Sequence, residues 1–206
     1  MTANWTSCFT WCALLLLLSW SRRAAAAPAP APDQCAQDSA LYRDLLLRIT
    51  ELLSNSTEFC YGIASDAVVI RSQDTLLACA PSLTQTPGCM RQSRTSFSKS
   101  ECLRNIMKDL AYYDATIQSY IESQLRDPDR EVPLLIPTQG IIKSLRENCS
   151  LNGETGENSK VEAAQLWGND SFANRQEMCK IMKGLQTRTI TINRAMGYMS
   201  SRDQSQ

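Results

Sequence analysis

The residue type with the most chemistry to offer here is cysteine, which occurs at positions 8, 12, 35, 60, 79, 89, 102, 149 and 179, while histidine is absent altogether. Without an imidazole there is no Ser-His or Cys-His nucleophile, no His-Glu-x-x-His metalloprotease centre and no Cys2His2 zinc finger. No C-x-x-C pair occurs either, which leaves structural zinc poorly supported. Paired carboxylates that would do acid–base chemistry do not stand out from ordinary solvated charge. Lysines and arginines number 21 against 21 aspartates and glutamates, so the chain lacks the excess positive charge that a nucleic-acid binder uses to displace counterions from phosphates. These observations predict a protein that is not an enzyme, binds no nucleic acid and uses no metal or cofactor. Disulfide formation is the cysteine chemistry left.

That chemistry requires an oxidising compartment. Residues 9–20, FTWCALLLLLSW, form an apolar run followed by Arg22, Arg23 and AAAAPAPAP. The run is too short for the ~20 residues of a transmembrane helix. Together with the small residues around Ala26 it predicts a secretory signal over 1–26 and a single domain over 27–206, extracellular and without membrane insertion. Removing the signal takes away both arginines and no acid, which changes the net charge from 0 to −2. It also takes away Cys8 and Cys12. The seven cysteines left are an odd number, and counting alone allows 105 arrangements of three bonds and one single thiol. Sequons at Asn55, Asn148 and Asn169 predict N-glycosylation in the same compartment.

The elements that must position these cysteines are helices. Leu41, Leu45, Ile49, Leu52 and Leu53 recur at three and four residues with charges between them, predicting a helix over about 36–54. Ser98 and Glu101 form a capping box. It opens a second helix over about 99–126, whose seam is Leu103, Ile106, Leu110, Tyr113, Ile117, Tyr120 and Gln124. Pro137 in a first turn predicts a third helix over about 137–148, with Ile141, Ile142 and Leu145 on its apolar face. Met178, Met182, Leu185, Thr189, Ile192, Met196 and Met199 predict a fourth over about 172–200. The links from 55 to 97 and from 149 to 170 are long and rich in Gly, Pro, Ser and Thr, enough for crossovers along the length of a bundle. The pattern predicts an all-α fold, an up-up-down-down four-helix cytokine bundle stapled by disulfides.

The segments Cys79-Ala-Pro-Ser-Leu-Thr, Ser93-Arg-Thr-Ser-Phe97 before Cys102, IMKDLAYYDATIQ, Leu125-Arg-Asp-Pro-Asp-Arg130 and Thr191-Ile-Asn-Arg-Ala-Met-Gly-Tyr-Met199 closely resemble the interleukin-12 alpha subunits. The likeness is dense over 79–147 and 178–199, thin in the first helix and absent from 149–170. It implies a secreted long-chain cytokine subunit that pairs with the interleukin-12 beta subunit, a soluble receptor-like chain. It further implies binding to interleukin-12 receptor chains on T and natural killer cells, in an immune response of the interferon-gamma type. The implied intrachain bonds are Cys35–Cys89, Cys60–Cys179 and Cys79–Cys102, with Cys149 left over.

Mammalian relatives of that kind carry one more cysteine, between those matching Cys79 and Cys89, that makes the interchain bond. It is missing here, so the expectation is a noncovalent pair or a link through Cys149, with Cys89 the other candidate. Arg194 matches the family's arginine that enters a pocket on the beta subunit, and Arg188, Thr191, Tyr198 and, on a facing helix, Tyr42 are further interface candidates. Two other readings are open: a single-chain helical cytokine acting directly on receptors, and a small disulfide-rich lipid-binding protein.

Overall fold

In a computed structural model of the chain, the residues described are 35, 38–55, 60, 67–80, 98–149 and 157–203. They form helices α1 (Ser39–Asn55), α2 (Asp74–Cys79), α3 (Lys99–Glu122), α4 (Val132–Asn148), α5 (Glu157–Ala164) and α6 (Ser171–Asp203), with no strand among the described residues. The expected signal and Cys89 lie outside the described residues.

The apolar seams become the core. Leu45, Ile49 and Leu52 of α1, Leu103 to Tyr120 of the α3 seam and all seven seam residues of α6 are buried, while Arg43, Asp44, Arg48 and Glu51 face solvent. Such burial is the main source of helix stability in a fold of this kind. The capping serine works as expected: Ser98 Oγ accepts the Glu101 N–H at 3.2 Å and satisfies one of the orphan donors of α3.

Hydrogen bonds between helices give the direction of each. Tyr42 and Thr50 of α1 meet Asn193 and Gln186 of α6, so the two run antiparallel. Asp109 of α3 lies against Arg188, and the Tyr113 hydroxyl sits over Gly184, which makes α3 antiparallel to α6 as well. Tyr120 reaches Glu131 just before α4, whereas Asp114 reaches Gln139 and Arg146 within it, so α3 and α4 are antiparallel. The N-terminal turn of α1 meets Cys149 at the end of α4. It follows that α1 and α3 run one way, α4 and α6 the other, in an up-up-down-down bundle of the cytokine type. Two disulfides brace the crossover: Cys60–Cys179 fastens the segment after α1 to α6, and Cys79–Cys102 fastens α2 to the first turn of α3.

The largest departures from the sequence expectation are two helix ends and one added helix. Helix α3 ends at Glu122, where Ser123 turns to extended backbone and caps with its N–H on Tyr120. Helix α4 begins at Val132, five residues early, because the buried Glu131 anchors its start: its carboxylate accepts from Tyr120 Oη at 2.8 Å, from the Asp127 N–H at 3.0 Å and from Arg175 Nε at 2.6 Å. Pro133 then occupies the first turn, and Pro137 sits inside the helix. Within the expected 149–170 loop, residues 157–164 form α5 on α3, and the following Trp167 donates from Nε1 to Ser119 Oγ at 2.8 Å.

Candidate partner-binding face

The C-terminal half of α6 carries two opposite faces. Leu185, Thr189, Ile192, Met196 and Met199 go into the core. On the other side Thr187, Ile190, Arg194 and Gly197 are exposed, with Thr191 and Tyr198 half-buried beside them. Those intervals of three and four place all six on one stripe of the helix. Ile190 is an exposed large hydrophobe at 37%. Gly197 has open space around it, with nothing within 4 Å of where a Cβ would stand. Among the described residues no carboxylate pairs with Arg194, as with the exposed Arg43 and Arg104, whereas Arg48, Arg71, Arg130, Arg146, Arg175 and Arg188 have acidic partners. An unpaired guanidinium between an aliphatic and an aromatic neighbour supplies five donors in a planar fork over an apolar base, the arrangement suited to a carboxylate-lined pocket.

Two of the expected interface residues are placed elsewhere. Arg188 is 4% exposed, with Nε 2.9 Å from Asp109 Oδ2 as an ion pair off the N–H direction, and it donates from Nη2 to the Ser72 carbonyl. Asp109 also accepts from Thr75 Oγ1. Burial raises the Asp109 carboxyl above the usual carboxylate range, against the pull of the Thr75 hydrogen bond and the Arg188 charge. Arg188 therefore joins α6 to α3 and the α2 segment from within. Tyr42 is completely buried, its hydroxyl 3.9 Å from Cys149 Sγ and its carbonyl accepting from Asn193 Nδ2 at 2.9 Å. Burial, reinforced by Cys149, pushes that hydroxyl well above the ordinary tyrosine range. Neither side chain is available to a partner, so the face is centred on Arg194 with Thr191 and Tyr198. Ile190 and Thr187 are absent from the sequence expectation, although their spacing of four and seven residues before Arg194 locates them on the same stripe.

The cysteines divide in the same way. Cys60–Cys179 and Cys79–Cys102 are formed. Cys35 is a buried free thiol beside Cys149, and Cys149 is itself completely buried; the expected Cys35–Cys89 bond involves Cys89, which lies outside the described residues. A thiol at that depth cannot reach another chain, which removes Cys149 as an interchain link. Asn148 and Asn169 are exposed at the end of α4 and before α6, and Asn55 is the last residue of α1. Among the described residues no group of three Cys, Asp or Glu is placed to hold a metal ion, and no helix is long and apolar enough to cross a membrane.

A family model described as the interleukin-12 alpha subunit matches residues 66–202, more than half of the chain, with the Arg194 face inside it. The chain belongs to the interleukin-12 alpha subunit family. Similar proteins include the interleukin-12 subunit alpha of Mus musculus, 26% identical with 92% of this chain and 95% of the relative covered. That of Sigmodon hispidus is also 26% identical, over 94% and 97%. That of Macaca mulatta is 26% identical over 62% of this chain and 63% of the relative. Interleukin-12 alpha chains are cytokine subunits and not enzymes, in keeping with a bundle whose exposed features are helix faces. The family match begins after α1, where the resemblance carried by residues is thin as well.

Proposed function

We propose that this chain is the alpha subunit of a secreted interleukin-12-type heterodimer and that the Arg194 face of α6 docks the receptor-like beta chain. The observation that carries the reading is an exposed arginine with no acidic partner among the described residues, on a stripe with Ile190, Thr191 and Tyr198, inside the segment matched by the family model. Arginine and tyrosine are enriched among residues that dominate binding energy, and the half-buried tyrosine adds apolar area at little entropic cost. The assembled pair then engages interleukin-12 receptor chains on T and natural killer cells, a step supported by family membership alone. The apolar run over 9–20 and the exposed sequons at Asn148 and Asn169 support secretion of a glycosylated chain.

Coexpression tests this. With a beta subunit the chain is expected to leave the cell and to elute in size-exclusion chromatography as a one-to-one pair. Expressed alone it is expected to secrete poorly. A lone chain that secretes well and signals fully as a monomer would support the single-chain reading instead.

A further inference from the structure

We infer that Cys35 and Cys149 form a third intrachain disulfide, joining the arm that precedes α1 to the C-terminus of α4. Cys149 is the C-cap of α4, its backbone N–H bonded to the Leu145 carbonyl at 3.0 Å, so its position is set by the helix. Cys35 and Cys149 are both free thiols, 1% and 0% exposed, in a part of the core closed over by Tyr42. Their side chains are in hydrogen-bonding contact, and the Tyr42 hydroxyl lies 3.9 Å from Cys149 Sγ on another side. Two adjacent thiols removed from solvent in a chain that already holds two disulfides have no evident use as thiols. Bond formation requires the two sulfurs to close from that contact to about 2.05 Å.

In the closed structure the two thiols perturb one another. The Cys149 hydrogen bond holds the Cys35 thiol below the ordinary range, while Cys35 and burial push Cys149 up. Oxidation begins with whichever of the two is ionised during folding. With Cys35 first, it displaces one thiolate from a small-molecule disulfide of the glutathione class to give a mixed disulfide. The Cys149 sulfur, giving up its proton, then attacks Cys35 and expels the second thiolate. Two thiols and one disulfide become one disulfide and two thiols, with two electrons and two protons passed to the oxidant. The step belongs to folding, before Tyr42 closes over the pair. It departs from the Cys35–Cys89 bond that the family resemblance implies. By count it leaves Cys89 as the cysteine without an intrachain partner.

The experiment is peptide mapping by mass spectrometry of the full chain, reduced, then oxidised in a glutathione redox buffer and alkylated, so that secretion does not enter. The expected result is a peptide containing Cys35 linked to one containing Cys149, alongside Cys60–Cys179 and Cys79–Cys102, with Cys89 alkylated or mixed with glutathione. Cys35 linked to Cys89, or Cys35 and Cys149 both alkylated while the other two bonds have formed, overturns the inference. A second measurement uses the Cys35→Ser, Cys149→Ser double variant. Its thermal midpoint should fall by about 5–15 °C relative to the oxidised chain and by much less relative to the wild type with this bond alone reduced.

Discussion

Individual side chains separate what belongs to the interior from what faces a partner. Arg188 and Arg194 are six residues apart on one helix, and their types alone assign both to the surface, because arginine is seldom buried unless paired. The structure sends one into the core against Asp109 and leaves the other outside, with no acidic partner among the described residues. The signal that could have distinguished them was spacing: Arg188 lies three residues after Leu185 and four before Ile192, both seam positions, whereas Arg194 lies three and four residues after Thr191 and Ile190, which are not. Asp109 gives a pH test. Its folded carboxyl holds its proton more tightly than an unfolded aspartate near 3.9, so between the two values the folded state binds more protons and stability falls as pH rises. Compared with Asp109→Asn in urea unfolding, the wild type should therefore lose relative stability as pH rises above the unfolded aspartate value of about 3.9. A relative gain over that range would mean that the attraction of Arg188 outweighs the cost of burial.

The helices were legible where their apolar period was sustained. All seven expected seam positions of α6 are buried, and the Ser98 cap is at the expected start of α3. The start of α4 was not legible. Pro137 looks like a first-turn proline by local rules, and only the tertiary hold of Tyr120 and Arg175 on Glu131 begins the helix at Val132. Helix α5 was hidden for a related reason, since its polar sequence is stabilised by docking on α3 and not by its own pattern. The glycines of the long helices show how context reverses a propensity. Gly140 in α4 has nothing within 4 Å of the place a methyl group would take, so Gly140→Ala should stabilise the chain by about 0.5–1 kcal/mol. At Gly184 in α6 the same methyl would stand 1.9 Å from the Val69 carbonyl oxygen, where the backbone of the crossover passes and Val69 donates to the Lys180 carbonyl. Gly184→Ala should cost about 1–3 kcal/mol despite better helix propensity. Equal effects in a thermal-melt comparison of the two variants would show that the crossover does not press on α6 there.

The whole molecule is a cytokine bundle whose long links carry its braces. Link lengths and seams together implied the up-up-down-down order, and the interhelical hydrogen bonds give the same order independently. Two disulfides are placed where the resemblance implied. Cys149, at the start of the stretch where the resemblance stops, faces Cys35, and this contact is what the inferred third bond rests on. The α6 stripe around Arg194 is the surface proposed for the beta subunit. Affinity for the beta subunit, measured by surface plasmon resonance with Arg194→Ala beside Arg104→Ala on the exposed side of α3, tests that claim most directly. The account predicts that Arg194→Ala raises Kd by about 30-fold or more, the equivalent of about 2 kcal/mol, and that Arg104→Ala leaves it within about twofold. Unchanged affinity for Arg194→Ala in a folded chain would contradict it.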